Sequence, residues 1–289
     1  MLLMTTKLKF TTFVAAGAIA LGAMASSASA ESLTVVSWGG AYTKSQVEAY
    51  HKPFTKETGI SILSENYSGG LAEVKAQVEA GSVKWDLIDL EMSDAVRGCD
   101  EGLFEQIDPA ILPKGDDGTP AEKDFIDGSV TDCAVGTIVW STIYAYDKGK
   151  FPGGGPKTMA DFFNTKAFPG KRGMRKTPKA NLEMALIADG VSNDKVYAML
   201  ETPAGVDRAF AKLDSIKDSV VWWEAGAQPP QLLADGEVAM TTAYNGRIFN
   251  AIAVESKAFE IVWDGQVYDL DLWAVPKGAP NKDTAMKFI

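Results

Sequence analysis

Ser32-Leu33-Thr34-Val35-Val36-Ser37-Trp38-Gly39-Gly40 is a short run of β-favouring residues closed by two glycines. A helical pattern follows, with Val47, Tyr50 and Phe54 on one face and Gly59 as its stop. Strand, glycine turn and helix open a βαβ unit. The alternation then repeats. Residues 60–63 read as a second strand, Leu71, Val74 and Val78 as a second helical face ended by Gly81, and 85–90 as a third strand. The expected fold is therefore α/β, a mixed sheet with helices on both faces.

Upstream of this unit, Lys7 and Lys9 precede an uncharged apolar run over 13–24, and Ala28-Ser29-Ala30 supplies small residues before Glu31. This pattern predicts a secretory leader over 1–30, cleaved near Ala30 and too short for a membrane anchor. The expected location is the periplasm. The leader carries two of the 28 basic residues and none of the 38 acidic ones, so the remaining chain has a net charge of −12. Such acidity argues against nucleic acid or anionic lipid as a partner and tolerates a cationic one. A hydrophobic content of 46% is ample for a core, in one large domain or two. In an exported chain the two cysteines, Cys99 and Cys133, predict a disulfide whose loop contains the Pro/Gly/Asp-rich segment 108–118.

Downstream, 136–146 (GTIVWSTIYAY) is too long for an ordinary strand and is expected to leave one lobe and enter another. Residues 151–156 are a loop by composition, and Thr158 with Asp161 matches a capping box. Lys171, Arg172, Arg175, Lys176 and Lys179 form the one basic cluster, read as a solvated helix approach or, alternatively, an anion-facing patch. Helix and strand signals continue at 182–188, 206–216, 220–223 and 232–236, and 259–263 and 267–275 read as the last strands. Residues 283–289 resemble an opening helix without a cap or polar tail, as in a sequence cut short.

Residues 238–243 read as a buried strand, and apolar residues at 248, 249, 252 and 253 as one face of a helix. Arg247 thus falls at a strand-to-helix junction, where free N–H groups favour an anion, or is a surface arginine. His51, the single histidine, is expected on the surface, and no G-x-S-x-G elbow accompanies it. Zinc lacks favoured ligands, 116–118 lacks the spacing of a calcium loop, and 153–158 lacks that of a phosphate loop. No cofactor is expected. Aromatic residues end several strands: Trp38, Trp140, Trp222, Trp223, Tyr244, Tyr268 and Trp273. Most should pack the core, leaving a subset to wall a pocket for a cation. Asp269 and Asp271 alternate along one strand and so point to the same side, where burial requires a partner.

Val35-Val36-Ser37-Trp38, Phe54-Thr55-Lys56-Glu57-Thr58-Gly59-Ile60, Trp85-Asp86-Leu87, Glu101-Gly102-Leu103, Asp235-Gly236-Glu237-Val238 and Tyr244-Asn245-Gly246, in this order, resemble the periplasmic spermidine/putrescine-binding proteins of ABC importers. The resemblance runs from about Ser32 to the last residue. It implies a two-lobed type II periplasmic binding protein, each lobe a mixed sheet flanked by helices, with crossing strands as the hinge and ligand in the interlobe cleft. The implied lobes are 31–137 with 272–289, discontinuous and truncated at the C-terminus, and 138–271. It also implies a monomer that binds a small amine or zwitterion and docks on membrane permease subunits, with no catalysis.

The implied ligand-binding set is Trp38, Gly39, Glu91, Ser93, Gln228, Tyr244, Arg247, Asp269 and Asp271. Trp38 matches the family's cleft tryptophan and Asp271 one of its carboxylates. Tyr244 replaces a tryptophan, and Asp269 replaces a cleft aromatic. The family's second-lobe acidic pair falls near Thr177 and Ala180, inside the basic cluster, and Arg247 lies where a polyamine would pass. Those departures suit an ω-amino acid such as γ-aminobutyrate, with a polyamine such as putrescine or spermidine as the other candidate. An exported hydrolase using a carboxylate pair is the rival from another class.

Overall fold

A computed structural model of the chain describes Ser32–Ile289; the leader expected over 1–30 lies outside the described residues. Eight strands form one sheet: β1 (Ser32–Ser37), β2 (Ser61–Asn66), β3 (Leu87–Glu91), β4 (Ala134–Asp147), β5 (Arg172–Arg175), β6 (Val220–Trp223), β7 (Met240–Tyr244) and β8 (Phe259–Ala274). Their order across the sheet is β2-β1-β3-β8-β4-β7-β5-β6. The outer strands pair in parallel, β1 with β2 and β3 on one side, β5 with β6 and β7 on the other. Two long antiparallel strands, β4 and β8, join the two sides. The expected mixed α/β architecture is present, its strands joined in one continuous hydrogen-bonded sheet.

The expected final strands at 259–263 and 267–275 are one strand, β8, 16 residues long. Gly265, between the two expected strands, has a φ of 68° that is absorbed inside β8, where the β4–β8 register shifts between Thr142 and Tyr144. A second shift lies between Gly136 and Ile138. The long run at 136–146 falls within β4, whose 14 residues pair with β8 along their length and with β7 at the far end.

Of the helices, four bear on the site. α1 (Gly40–Gln46) continues through a π-helical turn, Val47–His51, into α2 (Lys52–Thr58), which ends on the left-handed Gly59. α3 (Met92–Asp100) follows β3, and α4 (Asn245–Ala253) follows β7. The π turn rotates the inward face. Gln46 and His51, five residues apart, are buried, whereas Tyr50 is 40% exposed. His51 is therefore not on the surface: it meets the Ser64 hydroxyl at 3.1 Å and the edge of Phe288. In α4 the buried residues are Arg247, Ile248 and Ala251, so the inward stripe lies one step from the apolar spacing and Phe249 faces out.

Apolar packing covers both faces of the sheet on each side of the β4–β8 pair. Val36, Ile88, Leu90 and Leu272 pack with Phe104 on one side; Tyr144, Met174 and Met240 pack with Phe162 and Met184 on the other. Arg172, expected in a solvated cluster, is fully buried. Its guanidinium donates to the carbonyls of Phe162, Gly170 and Phe168 at 2.6 Å each, which satisfies a charge that burial would otherwise expel. The capping box of Thr158 and Asp161 is present, and Cys99 is bonded to Cys133. That bridge ties the end of α3 to the start of β4. Closing a loop of 34 residues, it is expected to contribute roughly 3–4 kcal/mol by restricting the unfolded chain. Urea denaturation of C99S/C133S against the oxidised wild type should show a loss of that order with unchanged cooperativity.

Candidate functional site

Ligands collect at the carboxyl ends of parallel strands where the strand order reverses. This sheet has two such points, β1/β3 on one side and β5/β7 on the other, and their ends deliver Trp38, Glu91, Arg175 and Tyr244 toward one another. Gly39 (φ 68°) and Gly40 (φ 59°) turn the chain from β1 into α1. Period-2 alternation sets Asp89 and Glu91 of β3, Asp269 and Asp271 of β8, Trp140 of β4 and Tyr244 of β7 on one face. The pairing of Glu91 with Asp271, and of Asp269 with Trp140, holds them in a row.

Two adjoining cavities result. The first, about 330 Å³, is walled by Trp38, Tyr42, Trp140, Tyr244, Arg247, Phe249 and Asp271 among others. The second, about 260 Å³, is walled by Ser93, Arg175, Lys179, Glu183, Trp223 and Asp269 among others. Glu91 and Trp140 line both. Of the expected site residues, Trp38, Glu91, Tyr244, Arg247 and Asp271 meet in the first cavity, and Ser93 and Asp269 lie in the second with Glu91. Gly39 shapes the turn behind Trp38 without lining either cavity. Gln228 stands apart, its side chain accepting from the backbone N–H groups of Glu224 and Ala225.

Arg247 is 7% exposed and occupies the first turn of α4. Its Nη2 donates to the Trp38 carbonyl oxygen at 2.9 Å, and it forms no ion pair among the described residues. Burial holds its guanidinium below its ordinary value. Two glycines make room for it: a Cβ on Gly40 would lie 2.8 Å from Nη1, and one on Gly226 would lie 2.9 Å from Nε and 2.7 Å from the Tyr244 ring. Asp271, 5% exposed, accepts from the Trp140 indole N–H at 2.8 Å. The Trp140 and Trp223 rings both stand edge-on to Tyr244.

Glu91 has both oxygens engaged, Oε1 by Arg175 and Oε2 by Lys179, at 2.5 Å each. Lys179 also reaches Asp94 at 2.9 Å. The Arg175 guanidinium sits 5.8 Å from the ring centres of both Trp38 and Tyr244. Burial alone would raise the Glu91 carboxyl, but the two cations hold it below the usual carboxylate range. The pairing of Glu91 with Arg175 and Lys179 is invisible to local spacing, because its members are 84 and 88 positions apart; of the two readings of the basic run, the anion-facing one fits these two cations. Ala180, beside it, adopts φ 62° at the start of a helix, a strained conformation of the kind that functional sites retain.

Asp89 lies fully buried behind the first cavity and accepts from Ser37 Oγ at 3.1 Å and Gln46 Nε2 at 2.6 Å. The Trp38 indole N–H and Tyr42 hydroxyl face it outside hydrogen-bond geometry. Burial pushes its carboxyl up to about 7, and burial, together with Asp89 itself, raises Asp271 well above the ordinary value. Asp89 therefore binds a proton more tightly folded than unfolded. Its contribution to stability is complete at low pH and is lost as pH rises through about 7. Thermal melts from pH 5 to 8 should show Tm falling for the wild type and a flatter profile for D89N, with the variant more stable at pH 8.

Among the described residues no group of His, Cys, Asp and Glu is arranged to hold a metal ion, and no helix is long and apolar enough to cross a membrane. The geometry defines a solute-binding cleft. Residues 49–289 match the family model described as bacterial extracellular solute-binding protein, and the chain belongs to that family. Its members bind small solutes and work with the permease subunits of ABC importers; they are not enzymes. The chain is 50% identical over 267 residues to the gamma-aminobutyric acid-binding protein of Pseudomonas aeruginosa, covering 92% of this chain and 73% of that protein. It is 25% identical over 284 residues to the spermidine/putrescine-binding periplasmic protein of Salmonella typhimurium, covering 96% and 77%. The crystal structure of MotA from Agrobacterium tumefaciens B6 in complex with glucopine superimposes with a TM-score of 0.82 at 38% identity, covering 89% of this chain and 77% of that one.

Proposed function

We propose that the first cavity captures an ω-amino acid of the γ-aminobutyrate class for delivery to the permease of an ABC importer. The observation that carries this is Arg247. A guanidinium that is almost fully buried, made room for by two glycines and without an ionic partner among the described residues, suits a ligand carboxylate, which it can grip bidentately. Asp271, across the cavity among aromatic faces, suits the ammonium end. The 50% identical relative named for γ-aminobutyrate supports the same ligand over a polyamine.

Ligand capture by lobe closure follows from this reading. The lobe boundaries at 137/138 and 271/272 fall inside β4 and β8, and the first lies at the register shift between Gly136 and Ile138. A bulged strand bends more readily than an unbroken ladder. In this reading Trp38 closes against Arg247, Tyr244 and Asp271.

Calorimetric titration with γ-aminobutyrate, putrescine and spermidine tests the proposal. The wild type should prefer γ-aminobutyrate, and Arg247→Ala should weaken it by about 1.5–3 kcal/mol, roughly 10- to 150-fold in Kd. Putrescine binding more tightly than γ-aminobutyrate, or R247A leaving γ-aminobutyrate affinity intact, would sink the proposal. Affinity should also rise with pH, because Asp271 must shed the proton that burial favours before it can pair with an ammonium.

A further inference from the structure

The ion cluster around Glu91 stands at the junction of the two cavities, and the ω-amino-acid reading assigns it no task. Glu91 has 3% of its side chain exposed, and each oxygen is held by a different cation. Arg175 does more than neutralise it. Its guanidinium lies over Trp38 and Tyr244, the aromatic faces an ammonium would seek. Gly69 is shaped around this stack, since a Cβ there would lie 2.6 Å from the Trp38 ring and 3.1 Å from Arg175 Nη2. Asp94, the next carboxylate, is shared by Lys179 and Arg97 at 2.9 Å each. Every carboxylate in this cluster therefore already has a protein cation.

We propose that Arg175 and Lys179 are the specificity-determining residues of the cleft: they occupy the carboxylate and aromatic positions that the second ammonium of a diamine would need. A ligand running from the first cavity toward the second must pass Glu91. An amine arriving at Glu91 finds both of its oxygens already held by protein cations, and displacing Arg175 would strand a buried guanidinium. A ligand with one ammonium and one carboxylate has no use for Glu91 and loses nothing. The cleft thus rejects diamines and polyamines by carrying the second cation itself, an instance of discrimination by what the wrong ligand leaves unpaired. This rests on the ω-amino-acid reading for the first cavity, but its own readout is separate.

The test is titration of the full chain with γ-aminobutyrate and with putrescine, for wild type, K179Q, R175Q/K179Q and R175Q/K179Q/E91Q. The ratio of the two dissociation constants is the measured quantity. In R175Q/K179Q it should move toward putrescine by at least ~10-fold, because Glu91 is then free for the second ammonium, and adding E91Q should abolish the shift. K179Q alone, at a half-exposed lysine, frees one oxygen and should give a smaller shift in the same direction; it carries the test if the double variant does not fold. An unchanged ratio in the folded variants, or a shift that survives E91Q, overturns the proposal and leaves the cluster a purely structural clamp. Absence of γ-aminobutyrate binding in the wild type would overturn the parent reading instead, and gain of putrescine binding in R175Q/K179Q would still decide this one.

Discussion

The antiparallel ladder between β4 and β8 is the constraint on which the remainder of this molecule depends. Its register runs from Ala134 against Ala274 to Asp147 against Phe259, so it runs the length of both strands at the middle of the sheet and joins the two sides. β3 is bound to one end of β8, and β7 to the far end of β4. The reach of the ladder brings two βαβ halves, each with its own switch point, to face one another. It also fixes the hydrogen bond from Trp140 to Asp271, an aromatic and a carboxylate that are 131 positions apart in sequence.

The site concentrates acid groups to a degree that an isolated sheet would not tolerate. Asp89, Glu91, Asp269 and Asp271 share one face, and burial raises three of them while Glu91 alone is held down by cations. The fold manages this in two ways. Glu91 is neutralised by partners from across the cleft, and burial shifts Asp89 and Asp271 toward the protonated form. Glu91 and Asp271 occupy opposite pairing positions on β3 and β8, where Glu91 is taken by protein cations and, among the described residues, Asp271 accepts only from Trp140.

The three buried or half-buried arginines of the second side, Arg172, Arg175 and Arg247, have three different fates, and their partners distinguish them. Arg172 is enclosed by backbone carbonyls, Arg175 is paired and stacked, and Arg247 holds a single carbonyl oxygen. Sequence spacing could not separate these, since Arg172 and Arg175 belong to the same basic run. Their strand, β5, is central enough to be covered on both faces, so both side chains must go inward, one into the core and one into the cleft.

What the sequence determined by itself is local. The glycine turn after β1, the capping box at Thr158, the strand-to-helix junction at Arg247 and the alternation of Asp269 with Asp271 depend on neighbours within a few residues, where φ/ψ preference and period fix the outcome. Motif order along the chain likewise carried the family. The tertiary structure decided how distant segments share space: that Gly265 bends one strand instead of ending it, that a π turn buries His51, and that Glu91 belongs to Arg175 and Lys179. These outcomes turn on packing and on the cost of burying charge, and both depend on contacts between residues many tens of positions apart, which no local pattern encodes.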